Sequence, residues 1–497
     1  MSLILKHNIT RFTVALATLI ISLSSVAQTK RVVLPDMGAS ADTILSRKEE
    51  ADYAKALLRQ MRAYDVLNED PIVAGYFEDM GFRLVANSDR PDKAFTFTVI
   101  DQAVVNAFAA PGGVVALYTG LILAADDENE VAGVVSHEIA HITQQHLYRA
   151  IENAKSMSVP VALAMLGLVL AGGGSGEAVQ GALMAGQAAA QQAQIYFTRQ
   201  NEIEADRIGI QTLADSGYDP RGMAEFFEKM NGLSRAMGEG PPEYLRTHPV
   251  SVTRIAEADN RAQNLPIPPP RDGRDFYLVQ ARIRAFGEDY PDTALSHFRY
   301  EQEEDDHTPV QREALQYGIA ISLQRKGNYE EARTILENLM DGKSHLAYEI
   351  QMASLDVDSG HTDKALKRLS ELYQNFPGNH AISTAYSDTL LHEKDAERAE
   401  TASEILRQQL LTHPEDPNLY ALYARASNIA GNDIRAKEAI AESYFLRGSS
   451  HEAIRQLRDL TKRDDLDYYQ RSRITARLNE IQIQLVKLGI DENPIED

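Results

Sequence analysis

The chain has 497 residues, room for roughly three domains at about 150 residues each. With 44% hydrophobic and 25% charged residues, 30 Gly and 19 Pro, its composition is ordinary globular and excludes disordered, collagenous and polytopic classes. Fifty Lys+Arg against 72 Asp+Glu leave a net charge of −22, which repels phosphate backbones and argues against a nucleic-acid partner.

The chain has no Cys, so there is no disulfide framework, thiol nucleophile or Cys-based metal site. Any metal must sit on His, Asp or Glu.

Residues 1–27 carry Lys6 and Arg11 as their only formal charges, run uncharged from Phe12, and end in Ser25-Val26-Ala27. A basic start, a short apolar stretch and small closing residues predict a signal peptide cleaved near Ala27. The apolar stretch is shorter than the ~20 residues of a spanning helix. In a Gram-negative bacterium such export leads to the periplasm.

Residues 28–265 are expected to form a first domain of mixed α+β character. Phe95-Thr96-Phe97-Thr98-Val99 alternates apolar and polar residues as a half-buried strand does, and Val114 to Leu117 follows a Pro111-Gly112-Gly113 turn. An exposed edge there suits an extended peptide, held through main-chain hydrogen bonds with little sequence selectivity.

Asp126, Asp127 and Glu128 mark a helix start, and Val131, Val134, Val135, Ile139 and Ile142 follow at helical spacing. Within that helix stands His137-Glu138-Ile139-Ala140-His141. Histidines at i and i+4 share one face, so both imidazoles can hold one metal ion, and Glu138 borders the open position as a general base. His146 is rotated off this face and is expected to be an ordinary surface or packing histidine.

From Lys155 to Glu177 the chain is uncharged between those two residues, but Pro160 and Gly172-Gly173-Gly174 interrupt it. Residues 156–176 therefore fit a buried or interfacial helix, bordering the cleft or making peripheral membrane contact, better than a spanning one.

A zinc peptidase needs a third protein ligand and an open fourth position. Glu202 and Asp206 lie at i and i+4 of a helix-compatible stretch, whereas Glu204 points elsewhere. Glu202 is the expected ligand, and Asp206 the acceptor that orients a histidine ring.

Pro266, Pro268, Pro269, Pro270, Asp272 and Gly273 form a linker over 266–273. Residues 274–497 are helix-compatible almost throughout. Gly327 to Ala332 recurs as Gly360 to Ala365, Ala399 follows, and similar turns stand at Gly431 to Ala436 and Gly448 to Ala453. The spacing resembles the tetratricopeptide repeat, in which small residues let paired helices approach closely. The expected fold is thus mainly α: an α+β zincin-like domain with a small sheet, then an all-α solenoid.

His-Glu-x-x-His followed by Glu202 to Asp206 resembles the gluzincin peptidase family that includes the CAAX prenyl protease and the heat-shock protease HtpX. The likeness extends to Asn106 through Gly113 and to Thr247-His248-Pro249 with Arg254. It implies one Zn2+ per chain on His137, His141 and Glu202, with Glu138 catalytic and Asp206 also counted among the catalytic residues. His248 is implied as a regulatory fourth ligand that keeps the enzyme latent, although a His-Pro pair alone, such as His413-Pro414, reads as a turn.

Signal, peptidase domain and repeats together resemble the family of periplasmic β-barrel assembly-enhancing proteases. That resemblance implies unfolded or misassembled outer-membrane proteins as clients, and β-barrel assembly and lipopolysaccharide-transport components as partners met through the concave face of the repeats. The alternative is a repeat-based chaperone or scaffold whose zinc is structural or latent. An integral-membrane prenyl-protein protease is disfavoured, because one interrupted apolar segment remains after the signal.

Overall fold

The computed structural model describes residues 45–153, 199–236, 242–304, 306–342 and 344–487. The expected signal peptide and the apolar segment 156–176 lie outside them. No described helix is long and apolar enough to cross a membrane.

The architecture is mainly α, an α+β unit with one small sheet followed by an all-α array. Helix α1 (Arg47–Ala63) begins with a capping box between Ser46 and Glu49. Helix α2 (Pro71–Ala86) begins at Asp70, whose carboxylate accepts from the Ile72 and Val73 amides, with proline in its first turn.

Strands β1 (Thr96–Ile100), β2 (Ala107–Ala110) and β3 (Val114–Tyr118) form a sheet in the order β1-β3-β2. Central β3 is parallel to β1, with Thr96 opposite Val114, and antiparallel to β2, with Ala107 opposite Leu117. The turn before β3 requires glycine: Gly113 has φ +80° and an added Cβ would lie 1.9 Å from the Ala94 carbonyl.

After α3 (Thr119–Ala124), Asp127 caps α4 (Glu128–Thr143) by accepting from the Asn129 and Glu130 amides. The acidic cluster therefore starts this helix, as its position predicts. Helix α4 is buried along most of its length and packs against β2, α6 (Arg199–Asp215) and α7 (Gly222–Ala236).

Two glycines permit these approaches. A Cβ on Gly209 would lie 3.1 Å from the His137 nitrogen, and one on Gly133 would lie 2.9 Å from Met223 Cα. The remaining helices of the unit are α5 (His146–Asn153), α8 (Glu243–Thr247) and α9 (Val252–Ala262).

The array consists of six helix pairs among the described residues. They are α10 (Arg274–Gly287) with α11 (Pro291–Gln302), α12 (Pro309–Arg325) with α13 (Tyr329–Met340), and α14 (Leu346–Asp358) with α15 (Thr362–Asn375). Then come α16 (His380–Leu390) with α17 (Ala396–Thr412), α18 (Pro417–Ile429) with α19 (Asp433–Leu446), and α20 (Ser450–Thr461) with α21 (Tyr468–Lys487).

Gly327, Gly360 and Gly431 adopt positive φ at the turns inside pairs, and Ala332, Ala365, Ala399 and Ala436 are buried just beyond the turns. Gly448 instead joins one pair to the next, half a repeat out of phase with the others. The same tight reversal serves at either end of antiparallel helices, so the sequence pattern does not separate the two cases.

The array is not an independent lobe. Phe276, Val279 and Ile283 of α10 join the core that contains Phe77, Leu117, Val131, Ile139 and Phe226. Further along, Arg282 Nε donates to Asp70 Oδ2 at 2.7 Å, and Ile72 packs on the cluster of Ile350, Ala381 and Ile382. Asn418 donates to Glu69 at 2.8 Å, and the Arg59 guanidinium lies 4.5 Å above Phe445. Helix α2 thus packs on α10 and α16 of the array, and α1 on α19.

Candidate active site

Helix α4 presents His137 and His141 one turn apart, with their Nε2 atoms 2.9 Å apart. Helix α6 supplies Glu202, whose carboxylate lies 3.5 Å from each of these nitrogens. His248, at the C-terminal end of α8, places Nδ1 3.4 Å from His137 Nε2 and 3.3 Å from Glu202 Oε1. One donor atom from each of the four residues falls within 4.8 Å of every other, and all four residues are buried.

Glu138 is fully buried beside them, 3.5 Å from His248 Nε2. Burial raises its carboxyl above the ordinary range, against the opposing pull of His248 and His137.

Asp206 lies one turn beyond Glu202 and stands 3.0 Å from His137 Nδ1. Arg254 of α9 secures both carboxylates. It donates to the two Asp206 oxygens at 2.7 and 2.8 Å, approaches Glu202 Oε2 at 2.8 Å, and donates to the Pro249 carbonyl at 2.8 Å. Burial acts to raise Asp206, but the Arg254 fork outweighs it and holds the group low. Burial likewise opposes the charge of Glu202, yet His248 and His137 draw it well below the ordinary range. His137 is pushed down by burial and up by Asp206 and Glu202, which prevail and raise it to about 9. Burial, aided by repulsion from His137, holds His141 well below its usual value.

Two groups that no sequence motif marks border the site. Tyr244 of α8 is buried and stacks on His248, with ring centroids 5.0 Å apart. Phe227 of α7 lies beneath the Arg254 guanidinium at 5.0 Å.

His146, expected to be a surface or packing histidine, is fully buried rather than on the surface and places Nδ1 2.9 Å from His141 Nδ1. Continued helical rotation would have carried it off the face. Instead α4 ends at Thr143, Gln145 takes a left-handed φ of 57°, and α5 restarts at His146. Glu204, correctly placed off the Glu202 face, meets His146 Nε2 at 3.2 Å. Burial holds the His146 ring down, to about 4. The acid-base pair Glu204 and Arg149, 3.1 Å apart, was the available signal, but its meaning depends on how α5 turns back.

This donor set fits a metal ion. With Nδ1 of His137 on Asp206 and Nδ1 of His141 on His146, both Nε2 lone pairs converge with a carboxylate in a buried space. His and Glu ligands, with a carboxylate behind one imidazole, suit a borderline divalent metal.

Residues 71–262 match peptidase family M48, and residues 313–341 and 356–426 match the tetratricopeptide repeat. The β-barrel assembly-enhancing protease of Escherichia coli (strain K12) is 32% identical over 450 residues, spanning 90% of this chain and 91% of that protein. The chain belongs to the β-barrel assembly-enhancing protease family. The putative β-barrel assembly-enhancing protease of Vibrio cholerae serotype O1 is 32% identical over 465 residues, 93% of this chain and 95% of its own length. The mitochondrial metalloendopeptidase OMA1 of Arabidopsis thaliana is 34% identical over 156 residues, 31% of this chain and 29% of that one. As a member of the β-barrel assembly-enhancing proteases with an M48 domain, the chain is a metalloprotease, and its buried His/Glu cluster could hold a metal ion.

Proposed function

We propose that this protein is a periplasmic zinc endopeptidase acting on unfolded or misassembled outer-membrane β-barrel proteins. The reading rests on the convergence of His137, His141 and Glu202 beside the buried carboxylate of Glu138. His137, His141 and Glu202 would hold the zinc, which when bound would supply Lewis-acid polarisation of the scissile carbonyl and activation of water. Glu138 takes the proton of the attacking water and returns it to the leaving amine. Asp206, clamped by Arg254, fixes the His137 ring. Strand β2, at the sheet edge and packed against α4, offers its backbone to an extended client segment.

The domain limits, the signal peptide cleaved near Ala27, and the assembly and lipopolysaccharide-transport partners belong to the same proposal. So does His248 as a removable fourth ligand. A specific observation also favours a second reading: four protein donors converge, as in closed structural zinc sites. In that case the chain is a repeat-based assembly chaperone.

Metal content and cleavage of an unfolded outer-membrane protein, measured for wild type, Glu138→Gln and His248→Ala, separate the two. The protease reading expects one zinc per chain, cleavage reduced on the order of 10²-fold or more in Glu138→Gln, and faster cleavage in His248→Ala. One zinc with no cleavage in any of the three overturns it in favour of the scaffold.

A further inference from the structure

The two histidines of α4 turn Nε2 toward the same point, so each ring must be steadied through Nδ1, and the two are steadied differently. His137 Nδ1 faces Asp206, a buried carboxylate clamped by Arg254. His141 Nδ1 faces another imidazole nitrogen, His146 Nδ1, at 2.9 Å.

Two ring nitrogens at that separation share a single proton. An imidazole that offers its Nε2 lone pair to a cation carries its proton on Nδ1. The shared proton therefore belongs to His141, and His146 accepts it. His146 must then carry its own proton on Nε2, which lies 3.2 Å from Glu204 Oε2. That same oxygen accepts from Arg149 Nη2 at 3.1 Å, and Arg149 also donates to the Gln144 carbonyl at 2.7 Å. Each donor in the series meets an acceptor.

We infer that His146 is the positioning residue of His141: the series His141, His146, Glu204, Arg149 fixes the tautomer and orientation of that metal-facing ring. The inference rests on the zinc-peptidase reading above. His146 is not a further ligand, because it meets His141 on the Nδ1 edge, whereas Glu202 and His137 meet it at Nε2. The two supports also differ in exposure. Asp206 is buried, whereas Glu204 and Arg149 are 29% and 41% exposed. The support of His141 thus runs out to the surface through α5 and α6, and coupling between α5 and the metal centre passes through His146.

The test uses the isosteric relation between histidine and the two carboxamides. In His146→Asn, Oδ1 occupies the place of Nδ1 and keeps an acceptor at His141, while the arm to Glu204 is lost. In His146→Gln, the far polar group is kept and the acceptor at His141 is lost. Zinc dissociation constants are measured by chelator competition on the full chain, for wild type and both variants, with urea unfolding of each zinc-free protein alongside.

The expected result is zinc binding weakened about 10- to 100-fold in His146→Gln and no more than about threefold in His146→Asn. Binding by His146→Gln within threefold of wild type, or equal weakening in both variants, overturns the inference. A wild type that binds no zinc overturns the zinc reading instead. Should a variant not fold, long-range proton-nitrogen correlations of the zinc-loaded wild-type rings decide. The inference requires His141 protonated at Nδ1 and His146 at Nε2, and any other pair of tautomers refutes it.

Discussion

Replacing Arg254 by Met should destabilise the zinc-free protein by about 3–5 kcal/mol at pH 7, the cost of breaking a buried ion pair from one side. Methionine keeps an apolar contact with Phe227 but removes the donors to both Asp206 oxygens and to Pro249, and the cation beside Glu202. Asp206 and Glu202 are then buried with less compensation, and Asp206 loses the partner that holds its pKa low.

The sign with pH follows. The folded pKa of Asp206 is depressed in wild type, so its contribution is present above the unfolded carboxylate value and is lost as pH falls. In Arg254→Met, protonation of a carboxylate relieves the stranded charge, and the gap to wild type narrows on acidification. Arg254→Lys, a cation without the fork, should lose roughly 1–3 kcal/mol. Urea unfolding of zinc-free wild type and variants at pH 7 and pH 5, with Arg254→Met/Asp206→Asn closing a double-mutant cycle, measures each quantity. A loss below about 1 kcal/mol for Arg254→Met, or an equal loss at both pH values, would refute the reasoning.

Gly209→Val would place a branched Cβ only 3.1 Å from the His137 backbone nitrogen. It should cost about 1–3 kcal/mol and weaken zinc binding by forcing α6 from α4; unchanged stability and zinc affinity would count against that packing. Arg282→Met removes the donor to Asp70 at 2.7 Å and to Gln351 at 2.9 Å, and should lower the urea unfolding free energy by about 2 kcal/mol. A change under about 0.5 kcal/mol would mean that this contact does little to hold the array on α2. In zinc-free protein, His146 is held at about 4 and His137 at about 9. Stability should fall by at least roughly 3 kcal/mol as pH drops from 6.5 toward 4, because the unfolded chain protonates before folded His146 and His141 do, and by roughly 3 kcal/mol as pH rises from 6.5 toward 9, where the His137 proton is lost. Unfolding free energies that stay flat across that range would contradict both shifts.

The parts of this protein legible in its sequence are those whose geometry is local. Helical rotation places His137 with His141, and Glu202 with Asp206, on shared faces. Asp127 caps a helix because its side chain reaches amides two and three residues ahead. Pro111-Gly112-Gly113 marks a turn because only glycine tolerates the approach to Ala94. The same local logic failed where the backbone left its period. His146 seemed to rotate away until the left-handed Gln145 turned it back, and Gly448 has the signature of an intra-pair turn while standing between pairs.

The sequence by itself thus determined the helices, the helix-pair array and which residues share a helix face, since each follows from steric and hydrogen-bonding rules acting over a few residues. Only the tertiary structure decided what those faces meet. It brings His248 to His137 across 111 residues, gathers Asp206 and Glu202 onto Arg254, stacks Tyr244 on His248 and seats α2 against the array. Such contacts form because a buried charge or apolar face must find a partner somewhere in the folded chain, and nothing in the local pattern specifies which distant residue supplies it.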